Sequence, residues 1–333
     1  MKIGLIRFSS LGDVVLTTGV IREISRELEN AEIVMITSKN YEDVFRDNPH
    51  VEKTLVLQKK SLSGFLRLVR EVRRERLDVI ADLHLNPRSL FLSVLSGSRR
   101  RLRYRKLHRD RVQMIGEKKR SPCSYVALRY FEPFRRLGLR YNELRPEMWV
   151  DRESEKKVQS LIENGSSSLI AIAPGANRMT KRWLPREFGS LCRLLAERRK
   201  ARIVIVGDAK DADVADEVVG MAEGEVTNLA GRTTLSELAA VLQKSSLLVT
   251  NDSGPMHVAS AVSTPVVALF GPTVPEFGFS PCGQKDRVVE VDLPCRPCSL
   301  HGTDRCREGD HRCMRMIRSE EVFGVVSDVL NGR

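Results

Sequence analysis

The stretch Thr250-Asn251-Asp252-Ser253-Gly254-Pro255-Met256-His257 puts a carboxylate, a hydroxyl, a glycine and an imidazole in consecutive reach. It follows the apolar run Leu247-Leu248-Val249, so a strand gives way here to a helix. Pro255 suits the first turn of that helix, and Asp252 or Ser253 can cap it. A helix start with free amides, and no side chain at Gly254, is a seat for a phosphate. Asp252 and His257 would then meet the same ligand as an acid and an imidazole, although capping alone also explains the acid.

Two further loops have the composition of phosphate and ribose contacts. The apolar run Leu169 to Ala173 opens into Pro174-Gly175-Ala176-Asn177, with Lys181 a few positions on. Such a loop can cradle a diphosphate on its amides while the lysine supplies a point charge. Trp183 reads as a core anchor for the helix that follows. Asp208, after the run Arg202 to Val206, can bond a ribose or cap a helix. Thr234 and Glu237 form a capping-box pattern that carries no chemistry of its own.

The elements that must hold these residues are those of a doubly wound α/β chain. Lys2 to Phe8 reads as a strand, Ser9-Ser10-Leu11-Gly12-Asp13 as a turn, and Val14 to Leu28 as a helix. Strands at 32–37, 53–57 and 78–82 alternate with helices at 65–76 and 89–95, which implies a parallel sheet. The opening turn is not G-x-G-x-x-G, which argues against a nicotinamide enzyme. A helix is expected from Tyr125 to Leu137, ended by Gly138, then an extended linker through Pro146. In the second half a helix is expected from Arg152 to Asn164, and a last one from Ser319 to Leu330.

The bulk numbers agree with two such halves. A chain of 333 residues with 41% hydrophobic content supports two cores of about 150–170 residues each. The net charge of +12 predicts an anionic partner: nucleic acid, acidic lipid or a phosphorylated substrate. The run from Ser98 to Arg120 concentrates that charge, and a strand from Arg99 to Tyr104 would project alternate arginines to one face. Bidentate guanidinium contacts from Arg101, Arg103 and Arg105 could hold a multiply anionic ligand there, or the run is simply a solvated surface. No uninterrupted apolar stretch reaches membrane-spanning length, and Met1 to Arg7 reads as a strand rather than a signal peptide, so a cytosolic chain is expected. In that compartment the spacing Cys295, Cys298, Cys306, Cys313, with His301 and His311 between, means packed free thiols or a structural metal site.

The block N-D-S-G-P-M-H-V-A-S-A-V-S-T-P-V-V-A-L-F-G-P-T, from Asn251 to Thr273, resembles the hallmark of glycosyltransferase family 9, which contains the ADP-heptose:lipopolysaccharide heptosyltransferases. The segments R-F-S-S-L-G-D-V-V-L-T-T from Arg7 and P-G-A-x-x-x-x-K-R-W from Pro174 match the same family, so the likeness covers both halves.

That resemblance implies a GT-B fold: two Rossmann-like domains with parallel sheets facing across a central cleft. An acceptor domain would span 1–145 and a donor domain 146–318, with a helix over 319–333 that can cross back to the first domain. It implies inverting transfer of heptose from ADP-heptose to the acidic, lipid A-linked inner core of lipopolysaccharide. Asp13 would be the base, though a helix-start acid stabilised by the dipole is the plain alternative. Ser10 and Gly12, with Arg101, Arg103 and Arg105, would meet the acceptor. Ala176, Asn177, Lys181, Asp208, Asp252, Ser253, Gly254 and His257 would hold the donor. Ala176-Asn177 stands where family members vary in a hydroxyl-bearing position.

No metal or other cofactor is required in that scheme, and relatives with a similar Cys-rich tail are not regarded as metalloenzymes. The expected location is the cytoplasmic, anionic face of the inner membrane, with no nucleic acid as partner. The rival readings are a relative that uses another sugar nucleotide for a different surface glycan, and a non-catalytic nucleotide- or RNA-binding protein.

Overall fold

A computed structural model describes residues 1–58, 61–162, 167–222 and 225–332. Its residues gather into two units: Met1–Lys106 with Tyr125–Trp149, and Leu107–Ser124 with Val150–Arg333.

The first unit runs β1 (Lys2–Ile6), α1 (Leu11–Glu27), β2 (Glu32–Ser38), β3 (Lys53–Leu57), α2 (Leu62–Arg74), β4 (Val79–Asp82), α3 (Pro87–Leu95) and β5 (Arg100–Arg103). The chain then contributes α4 (His108–Glu117) to the other unit and resumes with α5 (Val126–Phe131). All five strands pair in parallel in the order β3-β2-β1-β4-β5. Ile3, Leu5 and Ile6 are fully buried, as a strand covered on both faces requires. On one face Ile6, Val34, Ile36 and Ile80 pack with Leu68, Val69 and Val72 of α2 and Leu92 of α3. Helix α1 buries Val14, Val15, Leu16, Val20, Ile21 and Ile24 and packs beside α5. A Cβ on Gly19 would lie 2.5 Å from the Arg145 carbonyl oxygen, so any side chain there pushes the 144–145 backbone off the helix.

The second unit runs α6 (Arg152–Leu161), β6 (Leu169–Ala173), α7 (Pro185–Arg199), β7 (Arg202–Ile205), α8 (Ala212–Ala222), β8 (Val226–Asn228), α9 (Leu235–Lys244), β9 (Leu247–Asn251), α10 (Gly254–Ala261), β10 (Val266–Phe270), β11 (Arg287–Glu290), α11 (Arg312–Arg315) and α12 (Ser319–Leu330). Its six strands are parallel in the order β11-β10-β9-β6-β7-β8. Ile170, Ile172, Ile203, Ile205, Val249 and Leu269 form one core with Trp183, Phe188 and Leu191.

Several elements differ from the sequence expectation. The helix expected over Tyr125 to Leu137 is α5 followed by a 3-10 turn, Glu132–Leu137, because Pro133 supplies no backbone N–H. Gly138 ends it at φ 84° as expected. The helix expected to reach Asn164 is seen as far as Leu161, and Asn164 lies outside the described residues. The last helix was expected to be able to cross back to the first domain. Instead α12 inserts Val322, Val326 and Val329 into the core of the second unit and packs on α7. The segment 107–124, placed by sequence in the first domain, groups with the second unit because Met114 packs against Val274 and Phe277.

Both sheets have the Rossmann strand order, in which the winding direction reverses beside the first strand of the unit. A crevice opens at the carboxyl ends of the two strands flanking that reversal. These are β1 and β4 in the first unit, and β6 and β9 in the second.

Candidate active site

The carboxyl ends of β1 and β4 bring Arg7 and Leu83 together although 76 positions separate them. The Arg7 guanidinium bonds the Leu83 carbonyl and pairs with Asp13 Oδ2 at 2.8 Å. Asp13 is the third residue of α1, and its carboxylate reaches back to the Ser10 amide at 3.2 Å and accepts from the Ser10 hydroxyl at 2.8 Å. The capping role of a helix-start acid is therefore real. It does not exhaust the residue, because the Tyr130 hydroxyl donates to the other oxygen, Oδ1, at 2.7 Å.

The Tyr130 ring lies 5.3 Å from the Arg7 guanidinium carbon, and the Tyr104 ring meets it edge-on at 4.9 Å. Burial alone would raise the Asp13 carboxyl. Arg7, Tyr130 and Ser10 outweigh it and hold Asp13 at about 2. Burial pushes Tyr130 well above its ordinary value, so it stays a donor. His84, edge-on to Phe8, is pushed down to about 4 by burial and by the Arg7 charge, so its ring is neutral. A half-buried, ionised carboxylate with 15% of its side chain open is thus available to one incoming hydroxyl.

From the basic run an aromatic residue reaches this cluster. Tyr104 is buried against Tyr130 and bonds Arg7. Arg101 and Arg103 are exposed, and the parallel register pairs them with Ile80 and Asp82. Ile80 packs with Leu92 and Asp82 accepts from Ser89, so both arginines project on the sheet face that carries α3. Arg105 is exposed just beyond β5, Ser10 is exposed at the start of α1, and Gly12 is buried in its first turn.

In the second unit the ends of β6 and β9 meet. Asn251, fully buried, accepts from the Trp183 amide at 2.9 Å and donates to the Pro174 carbonyl at 2.8 Å. It therefore ties the Pro174–Asn177 loop to the start of α10. Lys181 Nζ pairs with Asp252 Oδ2 at 2.7 Å, and the Thr273 hydroxyl donates to the same oxygen at 2.7 Å. Burial would raise Asp252, but Lys181, Thr273 and His257 hold it low. The two residues expected to contact a ligand separately thus form one half-buried pair. His257 is 5% exposed in the first turns of α10, and Gly254 opens that helix with Ser253 at the N-cap.

Ala176 is buried and its carbonyl accepts from Arg182 Nε at 2.9 Å, while Asn177 is exposed. Asp208 is exposed and caps the turn Ala209–Asp211, accepting from the Lys210 amide at 2.8 Å. Its neighbour Asp211 fills the space over Gly175, where a Cβ would lie 2.0 Å from its carboxyl carbon. Trp183 is a core anchor as expected, fully buried against Phe188 at 4.7 Å.

Sequence reasoning assigned no role to Arg7, Tyr130 or Asn251. Arg7 and Asn251 carried a signal: each is a polar residue at the carboxyl end of an apolar strand. Tyr130 carried none, since its position follows from how α5 packs on α1.

The Cys-rich segment supports the lysine turn. The Thr180 amide donates to the Thr303 carbonyl at 3.0 Å, His311 Nε2 lies 2.7 Å from the Thr180 carbonyl, and Gly302 abuts the Lys181 stem. Burial pushes the Cys313 thiol up to about 12, and Cys298 is raised by burial and by its cysteine neighbours. Among the described residues no group of three or more Cys, His, Asp and Glu is placed to hold a metal ion.

Two parallel sheets of Rossmann order, each with a polar cluster at its winding reversal, define an α/β protein of GT-B type. Residues 65–306 match the model of glycosyltransferase family 9 (heptosyltransferase), and the chain belongs to that family. It is a glycosyltransferase. Lipopolysaccharide heptosyltransferase 2 of Escherichia coli K12 is 28% identical over 93% of this chain and 91% of its own length. Among solved structures, a family 9 glycosyl transferase from Veillonella parvula superposes with a TM-score of 0.85 at 22% identity, covering 100% of this chain and 98% of that one. E. coli ADP-heptose lps heptosyltransferase II gives 0.80 at 22% identity, covering 100% and 99%. The family places the chain among sugar-transferring enzymes rather than RNA-binding proteins. Among the described residues no helix is long and apolar enough to cross a membrane.

Proposed function

We propose that the chain transfers heptose from ADP-heptose to the acidic inner core of a lipid A-linked lipopolysaccharide precursor, with inversion at the sugar carbon. The observation that carries this reading is the Asp13 clamp. A half-buried carboxylate kept ionised by Arg7, Tyr130 and Ser10 at the β1/β4 reversal is fitted to receive a proton, in a chain of this family.

The acceptor hydroxyl oxygen attacks the anomeric carbon as the bond from that carbon to the diphosphate oxygen breaks. ADP leaves with the electron pair, and the hydroxyl proton passes to Asp13. A carboxylate held at about 2 is too weak to deprotonate a free alcohol. It takes the proton late, once the forming C–O bond has made the hydroxyl strongly acidic. Arg7 and Tyr130 fix which oxygen faces the acceptor.

On the donor side, Lys181 and the first-turn amides of α10 at Ser253 and Gly254 meet the charge that grows on the leaving diphosphate. They stabilise the transition state more than the ground state. Asp252 positions Lys181, His257 flanks the pair, and the Ala176–Asn177 loop closes over the diphosphate. Asp208, exposed beside the end of β7, is where a ribose hydroxyl would be met. Ser10 and Gly12, at the start of α1 beside Asp13, would meet the acceptor, whereas Arg101 and Arg103 project on the sheet face that carries α3 and Arg105 is exposed beyond β5. A lipid-linked acceptor places the enzyme peripherally at the cytoplasmic, anionic face of the inner membrane.

The test is incubation of the chain with ADP-heptose and truncated lipopolysaccharide acceptors, followed by mass analysis. Gain of one heptosyl group with release of ADP is expected. Transfer from another sugar nucleotide with none from ADP-heptose would refute the donor assignment.

A further inference from the structure

Helix α3 is inside out. On a helix that covers a sheet, large apolar residues face the sheet and polar ones face water. Here Ser89, Ser93 and the adjoining Ser96 are buried beside Leu92, whereas Leu90, Phe91, Val94 and Leu95 are 37%, 61%, 49% and 40% exposed. Ser89 and Ser96 are suited to their inward positions: Ser89 donates to Asp82 Oδ2 at 3.0 Å and the Ser96 hydroxyl bonds the Ser93 carbonyl at 2.8 Å. The exposed positions fall at i, i+1, i+4 and i+5, so they form one stripe. Helix α2, on the same sheet face, adds Leu62 and Leu66 at 75% and 43% exposure.

The chain that forms α3 and β5 carries charge of one sign. No acidic residue occurs between Asp82 and Asp110, while Arg88, Arg99, Arg100, Arg101, Arg103, Arg105 and Lys106 all do. The register of β5 turns Arg101 and Arg103 toward the face that bears α3. An outward apolar stripe with a cationic margin is the pattern of a surface that sits in the headgroup layer of an anionic membrane. A second copy of the chain fits it poorly, because a two-fold contact through α3 would bring two arginine margins together.

We infer that α3, with Arg101 and Arg103 beside it, docks the chain on an anionic lipid bilayer, Phe91 and Leu95 entering the acyl boundary. This deepens the reading of a lipid-linked acceptor but rests on different residues from those that perform transfer. Docking would restrict the enzyme's search for such an acceptor to the membrane plane.

The experiment is co-sedimentation of the full chain with vesicles that contain no acceptor, either phosphatidylglycerol–phosphatidylcholine mixtures or phosphatidylcholine alone. The wild type should sediment with the anionic vesicles, less so as salt rises, and poorly with neutral ones. Phe91→Asp should weaken partitioning roughly tenfold or more, the scale of losing one buried apolar side chain, with an unchanged melting curve. Leu95→Asn is the second variant should the first fail to fold. Both should transfer sugar normally to a deacylated, water-soluble acceptor.

Equal binding of wild type and both variants would overturn the proposal, as would equal binding to neutral vesicles. Self-association in the absence of lipid that Phe91→Asp abolishes, with vesicle binding intact, would overturn it in favour of a chain–chain interface. Vesicle binding by a chain that transfers no heptose would leave docking standing and remove the proposed reaction instead.

Discussion

The Tyr130 hydroxyl donates to Asp13 Oδ1 across 2.7 Å, joining residues 117 positions apart, while Arg7 holds the other oxygen of the same carboxylate at 2.8 Å. One carboxylate is thereby oriented from two sides and kept ionised. Tyr130 is a positioning residue under this account. Tyr130→Phe should raise the Asp13 pKa from about 2 toward the ordinary carboxylate range. The acid limb of the pH–kcat/KM profile should move upward with it. A profile displaced only in height, with the limb unmoved, would remove Tyr130 from this role.

Asp13→Asn keeps the shape and removes the proton acceptor. Transfer should fall by about 10²–10⁴, while ADP should raise the melting temperature of this variant as much as that of the wild type. Because Asp13 belongs to the first unit and the proposed nucleotide cluster to the second, loss of ADP stabilisation in this variant would mean that the substitution disturbs more than the proposed base.

Asn251→Ala cuts the bonds to the Trp183 amide and the Pro174 carbonyl and leaves both groups buried. Each orphaned group costs about 1–3 kcal/mol. The melting temperature should drop, and the stabilisation by ADP should shrink with it. Scanning fluorimetry with and without ADP reads both.

The Lys181–Asp252 pair should behave as one unit. Lys181→Met leaves a half-buried carboxylate without its cation, a change of about 3–5 kcal/mol for a fully buried pair and less here, where the side chains are 15% and 13% exposed. Adding Asp252→Asn should recover much of that stability but none of the transfer activity. Additive stabilities across the four proteins would show that the pair is not coupled.

Acid should destabilise the first unit in two stages. His84 titrates at about 4 when folded against 6.5 ordinarily, so its contribution is complete above 6.5 and is lost as pH falls toward 4. Asp13 titrates at about 2 against 3.8, so its contribution is complete above 3.8 and is lost as pH falls through 2. His84→Gln should flatten the stability curve between pH 6.5 and 4 and leave the lower stage in place. Chemical denaturation across that range would show a single unaltered slope if His84 were not involved.

The chain sequence by itself determined the two parallel sheets, because runs such as Leu169 to Ala173 and Val266 to Phe270 are apolar at every position and alternate with helix-forming stretches. It also determined where the polar residues cluster, since loops after such strands must open at one edge of a sheet. The short edge strands β8 and β11 and the helix α4 were not legible, because their residues are half-buried or charged and leave little periodicity.

Tertiary structure alone decided the partners. Lys181 and Asp252 each read as an independent ligand contact and turn out to hold one another. The arginines of β5 and the tyrosine beside them read as one basic run, yet alternation along the strand turns Arg101 and Arg103 to one face while Tyr104 packs on Tyr130. The physical reason is the same in each case. Local patterning specifies which face of an element is apolar, but which distant side chain completes a polar group depends on strand order and helix packing, and these are set by the whole core.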